Sequence, residues 1–322
     1  MADQFSRYCT RRLETGDAGQ HVPEYVEHQA GASTSDRWEN TLKDCQLLIK
    51  RLQAVRPLLI DHFLAWNESL RIGRLMIAAV ILECEAAKGY QTPRHRFVVH
   101  KLVYGCTKSA DLFGNHVHFI TFNYDASLEY NLYGALTSVD IIDKADARRF
   151  LTEDRIIHTY GCVHSAIPDD RDFVDVRVAR SLGAGFNPED LELRKLFLDR
   201  CLSAAQKLKT IDPNDKEDDE ACLIQARKWI EKAGVIYILG YAFDYNNNRR
   251  IGLSSAGDGS NKIVMFTNLG DLNKINKKAS KLFYHDLVHF SNSAPHGHPS
   301  GSYFEKSVRD VYDAFEKDFE AL

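Results

Sequence analysis

Apolar residues recur at helical spacing in the first third of the chain. In the segment 42–55 they stand three and four positions apart, which places them on one face of a helix, and a shorter stretch covers 59–64. The segment 70–85 is apolar almost all round in its middle, which predicts a buried helix. Residues 1–40 are polar and lack this spacing, so we expect a loose N-terminal arm. The pattern therefore predicts a helical subdomain over residues 41–112.

From residue 113 onward, short apolar runs alternate with stretches of helical spacing. The predicted strands are 116–122, 155–161, 235–240 and 262–270. The run 235–240 is apolar throughout, as expected of a strand covered on both faces of a parallel sheet. Residues 303–319 close the chain with an amphipathic helical pattern. Repeated strand and helix predict an α/β fold: a Rossmann-like parallel sheet over residues 113–322, forming one structural unit with the preceding or inserted helical subdomain.

Composition and charge narrow the class of protein. The 322 residues are 44% apolar and 27% charged, as in an ordinary globular protein. The net charge is -4, so the chain lacks the excess of basic residues that is typical of proteins that bind nucleic acids directly. The longest apolar run, 75–82, is too short to span a bilayer, and residues 1–12 contain no apolar leader segment. These features predict a cytoplasmic protein that does not bind membranes. The seven cysteines contain no close pair, which argues against a disulfide framework and a cysteine zinc site.

Polar side chains follow the first two predicted strands, where ligands bind in open parallel sheets. Asn123 and Asp125 come directly after 116–122, before a helical stretch. His158 and Tyr160 alternate along the next strand, before Gly161. Each feature also has a structural interpretation, because Asp125 could cap the helix and His158 could be a core histidine. Pattern alone leaves both interpretations open.

The third predicted strand ends in a glycine and is followed by three consecutive asparagines. Gly240 would let the backbone approach a ligand closely, and the asparagines 246–248 lead into a helix. A turn stabilised by asparagine side chains would produce the same sequence. This segment is therefore a candidate binding loop with an ordinary structural alternative.

Taken together and in this order, the segments TFNYDASLEY, IIHTYG and VIYILGYAFDYNNN resemble the sirtuin-like domain of many bacterial proteins. The helical segment LLIDHFLAWNESLRIGRLMIAAVILECE is also similar to that family, so the resemblance covers 58–250. Members often hydrolyse NAD+ in antiphage defence. The resemblance implies an NAD+ hydrolase that releases nicotinamide and ADP-ribose.

The resemblance also implies roles for individual residues. Asn123 would position the water or the ribose near the nicotinamide bond, and the strand ending at Gly161 would carry the catalytic base. The loop after the third strand would hold the adenosine end of NAD+. The expected catalytic residues are Asn123, His158 and Tyr160, and the expected NAD-binding residues are Thr121, Asp125, Gly161, Gly240 and Asn247.

Two departures from the family pattern support a second interpretation. The family begins with a strand and a GAGxS loop for the phosphates, but here the nearest strings lie at 29–34 and 182–186, in unsuitable contexts. Tyr160 stands where catalytic sirtuins have a histidine directly before the glycine. The alternative is a catalytically degenerate module that binds NAD, ADP-ribose or a partner protein. A partner or a second copy of the chain could also complete the site, and sequence leaves oligomerisation open.

Metal-dependent and deacetylase chemistry are not expected from the sequence. Deacetylating sirtuins resemble one another in a zinc module of two cysteine pairs, which this chain cannot build. The only histidine-rich stretch contains His285, His289, His296 and His298, without a carboxylate or cysteine at diagnostic spacing. NAD is therefore expected as substrate, with no metal.

Overall fold

The chain is a mixed helix and strand protein. The computed structural model describes residues 34–55, 63–64, 72–88, 98–99, 102–153, 155–165, 167, 200–209, 221–256, 262–267, 273–283 and 303–304. The helices are α1 (Thr34–Val55), α2 (Ile72–Lys88), α3 (Ser127–Leu136), α4 (Lys144–Thr152), α5 (Ala221–Lys232), α6 (Tyr245–Arg250) and α7 (Asn273–Phe283). The strands are β1 (Phe119–Thr121), β2 (Ile156–His158), β3 (Val235–Ile238), β4 (Ile263–Phe266) and β5 (Tyr303–Phe304). Two 3-10 helices cover Ser109–Gly114 and Leu253–Ala256.

The contacts divide the chain into two compact units. The first unit combines residues 1–92, 121–153 and 158–215, and the second combines 93–120, 154–157 and 216–322. The domain boundaries expected at residues 40 and 112 remain sequence-based predictions. Among the described helices, none is long and apolar enough to cross a membrane.

The core of the first unit forms where α1 packs on α2. Leu48 and Leu52 of α1 and Ala78 and Leu82 of α2 belong to one buried cluster. The buried helix predicted over 70–85 is confirmed as α2, because its apolar side chains have protein on most sides. α1 includes the last seven residues of the expected arm, 34–40, and residues 1–33 of that arm lie outside the described residues.

β1 and β2 form a parallel pair. Phe119 N–H donates to Arg155 O at 2.7 Å and Thr159 N–H donates to Thr121 O at 3.0 Å, so both strands run in the same direction. β2 is shorter than predicted, because Gly161 N–H donates back to His158 O and closes a turn. The expected alternation of His158 and Tyr160 on one strand face is therefore wrong.

The second unit contains three parallel strands in the order β3, β4, β5. Helices follow β3 and β4, in agreement with the predicted alternation of strand and helix. β3 is less covered than its apolar sequence predicts, since Val235 is 46% exposed while Ile238 is buried. Tyr303 and Phe304 were predicted to begin a helix, but they form β5 because their backbone pairs with β4. Residues 305–322 of that predicted helix lie outside the described residues.

Candidate functional site

Asn123 and His158, which are 35 residues apart in the chain, meet at the carboxyl ends of β1 and β2. Nδ1–H of His158 donates to the backbone oxygen of Asn123 at 2.8 Å. The Asn123 backbone N–H donates to Thr121 Oγ1 at 3.1 Å, which fixes the turn after β1. The residue Asn123 is exposed, and no hydrogen bond of its side-chain amide to another described residue is found. The parallel pairing of β1 and β2 thus brings together Asn123 and His158, two of the predicted catalytic residues, and leaves the amide of Asn123 accessible.

Glu129 of α3 is the second partner of His158. Its Oε1 lies 2.5 Å from His158 Nε2, and both side chains are about nine-tenths buried. A carbonyl and a carboxylate can only accept hydrogen bonds, so both ring nitrogens of His158 carry protons. His158 is therefore an imidazolium paired with a carboxylate, and the pair is electrically neutral.

Cys162 completes this cluster. Its Sγ lies within 4.8 Å of ligand atoms of both Glu129 and His158, and it donates to His164 O at 3.0 Å. Burial alone would lower the pKa of His158, but hydrogen bonds and charges from Cys162 and Glu129 outweigh it and raise the pKa to about 11. Burial raises the pKa of the Cys162 thiol, although the nearby His158 opposes this. The cluster therefore contains a histidine that keeps its second ring proton well above its ordinary pKa.

A second buried histidine–glutamate pair supports the loop beside this cluster. His164 Nε2 lies 2.6 Å from Glu85 Oε2, and its Nδ1–H donates to Ser165 O at 2.8 Å. Glu85 Oε1 accepts the Ala126 N–H at 3.0 Å, at the start of α3, where Ala126 has no side chain able to cap the helix. Burial lowers the pKa of His164, but the bond to Glu85 outweighs it and the net pKa is raised. Glu85 thus connects α2 to the segment that carries the site.

The structure gives Asp125 and Tyr160 local structural contacts. Asp125 Oδ1 accepts the backbone N–H of Ser127 at 3.1 Å and also the Ser127 hydroxyl, which makes a turn before α3 rather than a helix cap. Tyr160 is 3% exposed and belongs to the hydrophobic cluster of the first unit. Its ring lies 5.9 Å from that of Phe122 and 6.2 Å from that of Tyr124, measured between centroids. Catalytic or binding roles for Asp125 and Tyr160 remain predictions.

Gly161 has a conformational reason to be glycine. Its φ is 79°, in the left-handed region, and a Cβ added there would lie 2.0 Å from Lys207 O. The backbone after β2 therefore passes directly against the end of the helical residues 200–207.

Gly240 and Asn247 belong to the second unit. Gly240 has a φ of 64° and donates its N–H to Thr267 Oγ1 at 2.8 Å. The side chain of Asp244 caps α6 by accepting the Asn247 N–H at 3.1 Å, and Asn247 itself is buried. The loop after β3 is therefore held by side-chain hydrogen bonds, as in the structural alternative that the sequence analysis gave for this segment. NAD binding by Gly240 and Asn247 remains a prediction.

Sequence reasoning missed Glu85, Glu129 and Cys162. One signal was available for the glutamates: Glu129 shares the buried face of α3 with Leu132 and Leu136, and a charge on an apolar face needs a buried partner. Glu85 follows Leu82 on the buried side of α2 in the same way. Cys162 had no comparable signal, because only folding brings it to His158.

The free energy of unfolding is expected to fall as the pH rises from about 7 to 10. The folded protein keeps the protons of His158 and His164 above their ordinary pKa of 6.5, whereas the unfolded chain releases them. Below pH 6.5 their stabilisation is complete, and it is lost towards the folded pKa, which is about 11 for His158. The slope is about 1.4 kcal/mol per pH unit for each proton. Cys162 acts in the same direction at higher pH, because its pKa is also raised.

Urea denaturation at several pH values measures this slope. The double variant Glu85→Gln, Glu129→Gln is the control, since each amide can donate to a neutral imidazole and removes the charge that holds the extra proton. We expect a flatter profile in this variant. A wild-type stability that is constant or rises over this pH range would contradict the ionisation assigned to the two pairs.

The histidine-rich stretch 285–298 lies outside the described residues. Four cysteines of the described part of the chain form no disulfide: Cys106, Cys162, Cys201 and Cys222. Comparison of the chain with protein-family models, with curated proteins and with solved structures finds no match.

Proposed function

We propose that this protein is an NAD+ hydrolase built on a sirtuin-like, Rossmann-type nucleotide-binding domain. The products would be nicotinamide and ADP-ribose. Following the sequence resemblance, we further propose that it acts in the cytoplasm in antiphage defence. The observation that carries the proposal is the hydrogen bond from His158 to the backbone of Asn123 at the ends of two parallel strands. Ligands of open parallel sheets bind at such ends.

The reaction requires little acid chemistry, because nicotinamide leaves the ribose as a neutral molecule. Positive charge develops on the ribose, and the attacking water must be oriented and must lose a proton. The exposed amide of Asn123 can both donate and accept a hydrogen bond, so it can position that water. His158 can accept this proton only in those protein molecules in which its Nε2 has already lost its own proton to solvent. In the other protein molecules His158 is charged, and the carboxylate of Glu129 balances that charge.

Replacing Asn123 by alanine is expected to lower kcat/KM for NAD+ hydrolysis roughly 100-fold, as when one positioning group is removed from an active site. Because the residue is exposed, the change in stability is expected to stay within about 0.5 kcal/mol. Asn131→Ala is the matched control. Its amide only donates to Ser127 O within α3, so activity should be retained. Nicotinamide release, followed by chromatography, measures both variants.

The same assay gives a pH profile. Because the raised pKa of His158 keeps it protonated at neutral pH, the wild-type rate is expected to rise between pH 7 and 9. No nicotinamide release at high protein concentration over this range would contradict the hydrolase. Equal rates for wild type and Asn123→Ala would contradict the role of Asn123.

The second candidate is a sirtuin-like module that binds ADP-ribose or NAD without cleaving it. Two observations favour it: Tyr160 is buried in the core, and the side chain of His158 is 10% exposed and paired through Nε2 with Glu129. Calorimetric titration with ADP-ribose tests this alternative. Binding without nicotinamide release would support it, and no heat at millimolar ADP-ribose would contradict it.

A further inference from the structure

We propose that Glu129, His158 and Cys162 form a zinc site. The protein ligands would be a carboxylate oxygen of Glu129, Nε2 of His158 and the Cys162 thiolate. Their candidate ligand atoms already lie within 4.8 Å of one another. Donor atoms around a tetrahedral zinc ion lie roughly 3.3 to 3.8 Å apart, given bonds of about 2.0 to 2.3 Å. Small side-chain rotations would therefore bring the three donors onto one ion.

The second oxygen of Glu129 is an independent indication of a ligand. Glu129 is 8% exposed, and its Oε2 is buried without a hydrogen-bond partner among the described residues. Leaving a buried polar atom unsatisfied costs about 1 to 3 kcal/mol, and more when the group is charged. A cation bound beside His158 would satisfy this oxygen, whereas the protein groups around it do not.

His158 is also oriented as metal-binding histidines are. Its Nδ1–H donates to the backbone oxygen of Asn123 at 2.8 Å, which fixes the ring and directs Nε2 towards Glu129. Histidine ligands of metals almost always donate their other ring N–H to a carbonyl or carboxylate in this way. The bond to Asn123 therefore leaves Nε2 as the metal-binding nitrogen.

The ligand set suits a divalent cation. Metals bind histidine as neutral imidazole and cysteine as thiolate. The carboxylate of Glu129 and the thiolate of Cys162 would together balance the charge of a divalent cation, which is favourable in a buried site.

The donor types select zinc over magnesium or calcium. Thiolate and imidazole are preferred by zinc and related transition metals, whereas magnesium and calcium take oxygen ligands. Three protein ligands leave a fourth position for water or a substrate atom, as in catalytic zinc sites. No closely paired cysteines or histidines mark this site in the sequence.

The full-length protein is loaded with zinc, dialysed and analysed for metal by mass spectrometry. We expect about one zinc ion per chain. In a parallel sample, Co2+ is expected to give the charge-transfer absorption of a cobalt–thiolate bond. Zinc that does not stay on the wild-type protein would contradict the proposal.

Variants locate the site. Cys162→Ser should abolish the cobalt–thiolate absorption and weaken zinc binding more than roughly 100-fold, while serine can still donate to His164 O. Glu129→Gln keeps a hydrogen bond to His158 and should weaken binding as well. Cys106→Ser is the matched control, since its thiol donates to Leu102 O in the second unit, and it should bind as wild type does. Unchanged binding in Cys162→Ser would overturn the proposal.

The double variant His285→Ala, His289→Ala tests the other candidate for metal binding. Wild-type zinc binding is expected, and loss of the metal would place zinc in that histidine-rich stretch and overturn the site at Cys162. The zinc site does not rest on the proposed hydrolase, because metal content is measured without NAD. Nicotinamide release measured with a chelator present tests the hydrolase separately. Zinc on Nε2 of His158 is expected to inhibit hydrolysis.

Discussion

Replacing Glu85 by leucine is expected to lower the free energy of unfolding by about 3 to 5 kcal/mol. The substitution leaves His164, whose side chain is 4% exposed, without its charged partner at 2.6 Å. It also removes the acceptor of the Ala126 N–H at the start of α3. Breaking one side of a buried ion pair costs far more than removing both sides, since the remaining group loses its partner without regaining water. Urea denaturation measures the change.

Glu85→Gln is the matched control. The amide oxygen can still accept from Ala126, and the amide N–H can donate to a neutral His164. We expect a loss of about 1 kcal/mol for this variant, the usual value of one altered hydrogen bond. Equal losses for leucine and glutamine would show that packing, rather than the ion pair, sets the stability at Glu85.

Replacing Gly161 by alanine is expected to lower the free energy of unfolding by about 2 to 5 kcal/mol. The φ of 79° is unfavourable for any residue with a Cβ, and this Cβ would lie 2.0 Å from the backbone oxygen of Lys207. A backbone atom cannot rotate away as a side chain can. The turn after His158 or the end of the helical residues 200–207 must therefore shift.

Gly134→Ala provides the opposite control in the same unit. Gly134 lies inside α3, and a Cβ there would have no other atom within 4 Å. Alanine should raise the free energy of unfolding by about 0.5 to 1 kcal/mol, because it favours helix without a clash. If Gly161→Ala proved as stable as wild type, the described approach to Lys207 would be wrong. Circular dichroism during urea unfolding measures both variants.

Both predictions concern the scaffold, and both affect the site through it. Gly161 stands three residues after His158, and Glu85 holds the segment that leads into Glu129. A shift in either segment would move the donors of the proposed zinc site and the nucleophile-positioning Asn123. We therefore expect Glu85→Leu and Gly161→Ala to lose zinc binding and NAD+ hydrolysis together. Cys162→Ser should reduce zinc binding more than hydrolysis.

The sequence alone determined the helices and strands whose hydrophobic spacing is strong. The apolar segment 70–85 predicted α2, and the alternation of short apolar runs with helical stretches predicted the strands β1 to β4. It also selected Asn123 and His158, because polar residues at the ends of strands stand out against an apolar run. The spacing of apolar residues shows which face of a helix or strand is buried, and it depends only on residues that are close together in the chain.

Only the tertiary structure decided how those side chains pair. Glu129 and Cys162 lie 29 and 4 residues from His158, and Glu85 lies 79 residues from His164. No local spacing encodes the separations of 29 and 79 residues, since those contacts depend on how the helices and strands pack. The close approach of Gly161 to Lys207 was also decided by non-local packing. The sequence thus predicted which strand ends hold the candidate catalytic residues, while packing and burial determined the partners and charges of His158 and His164.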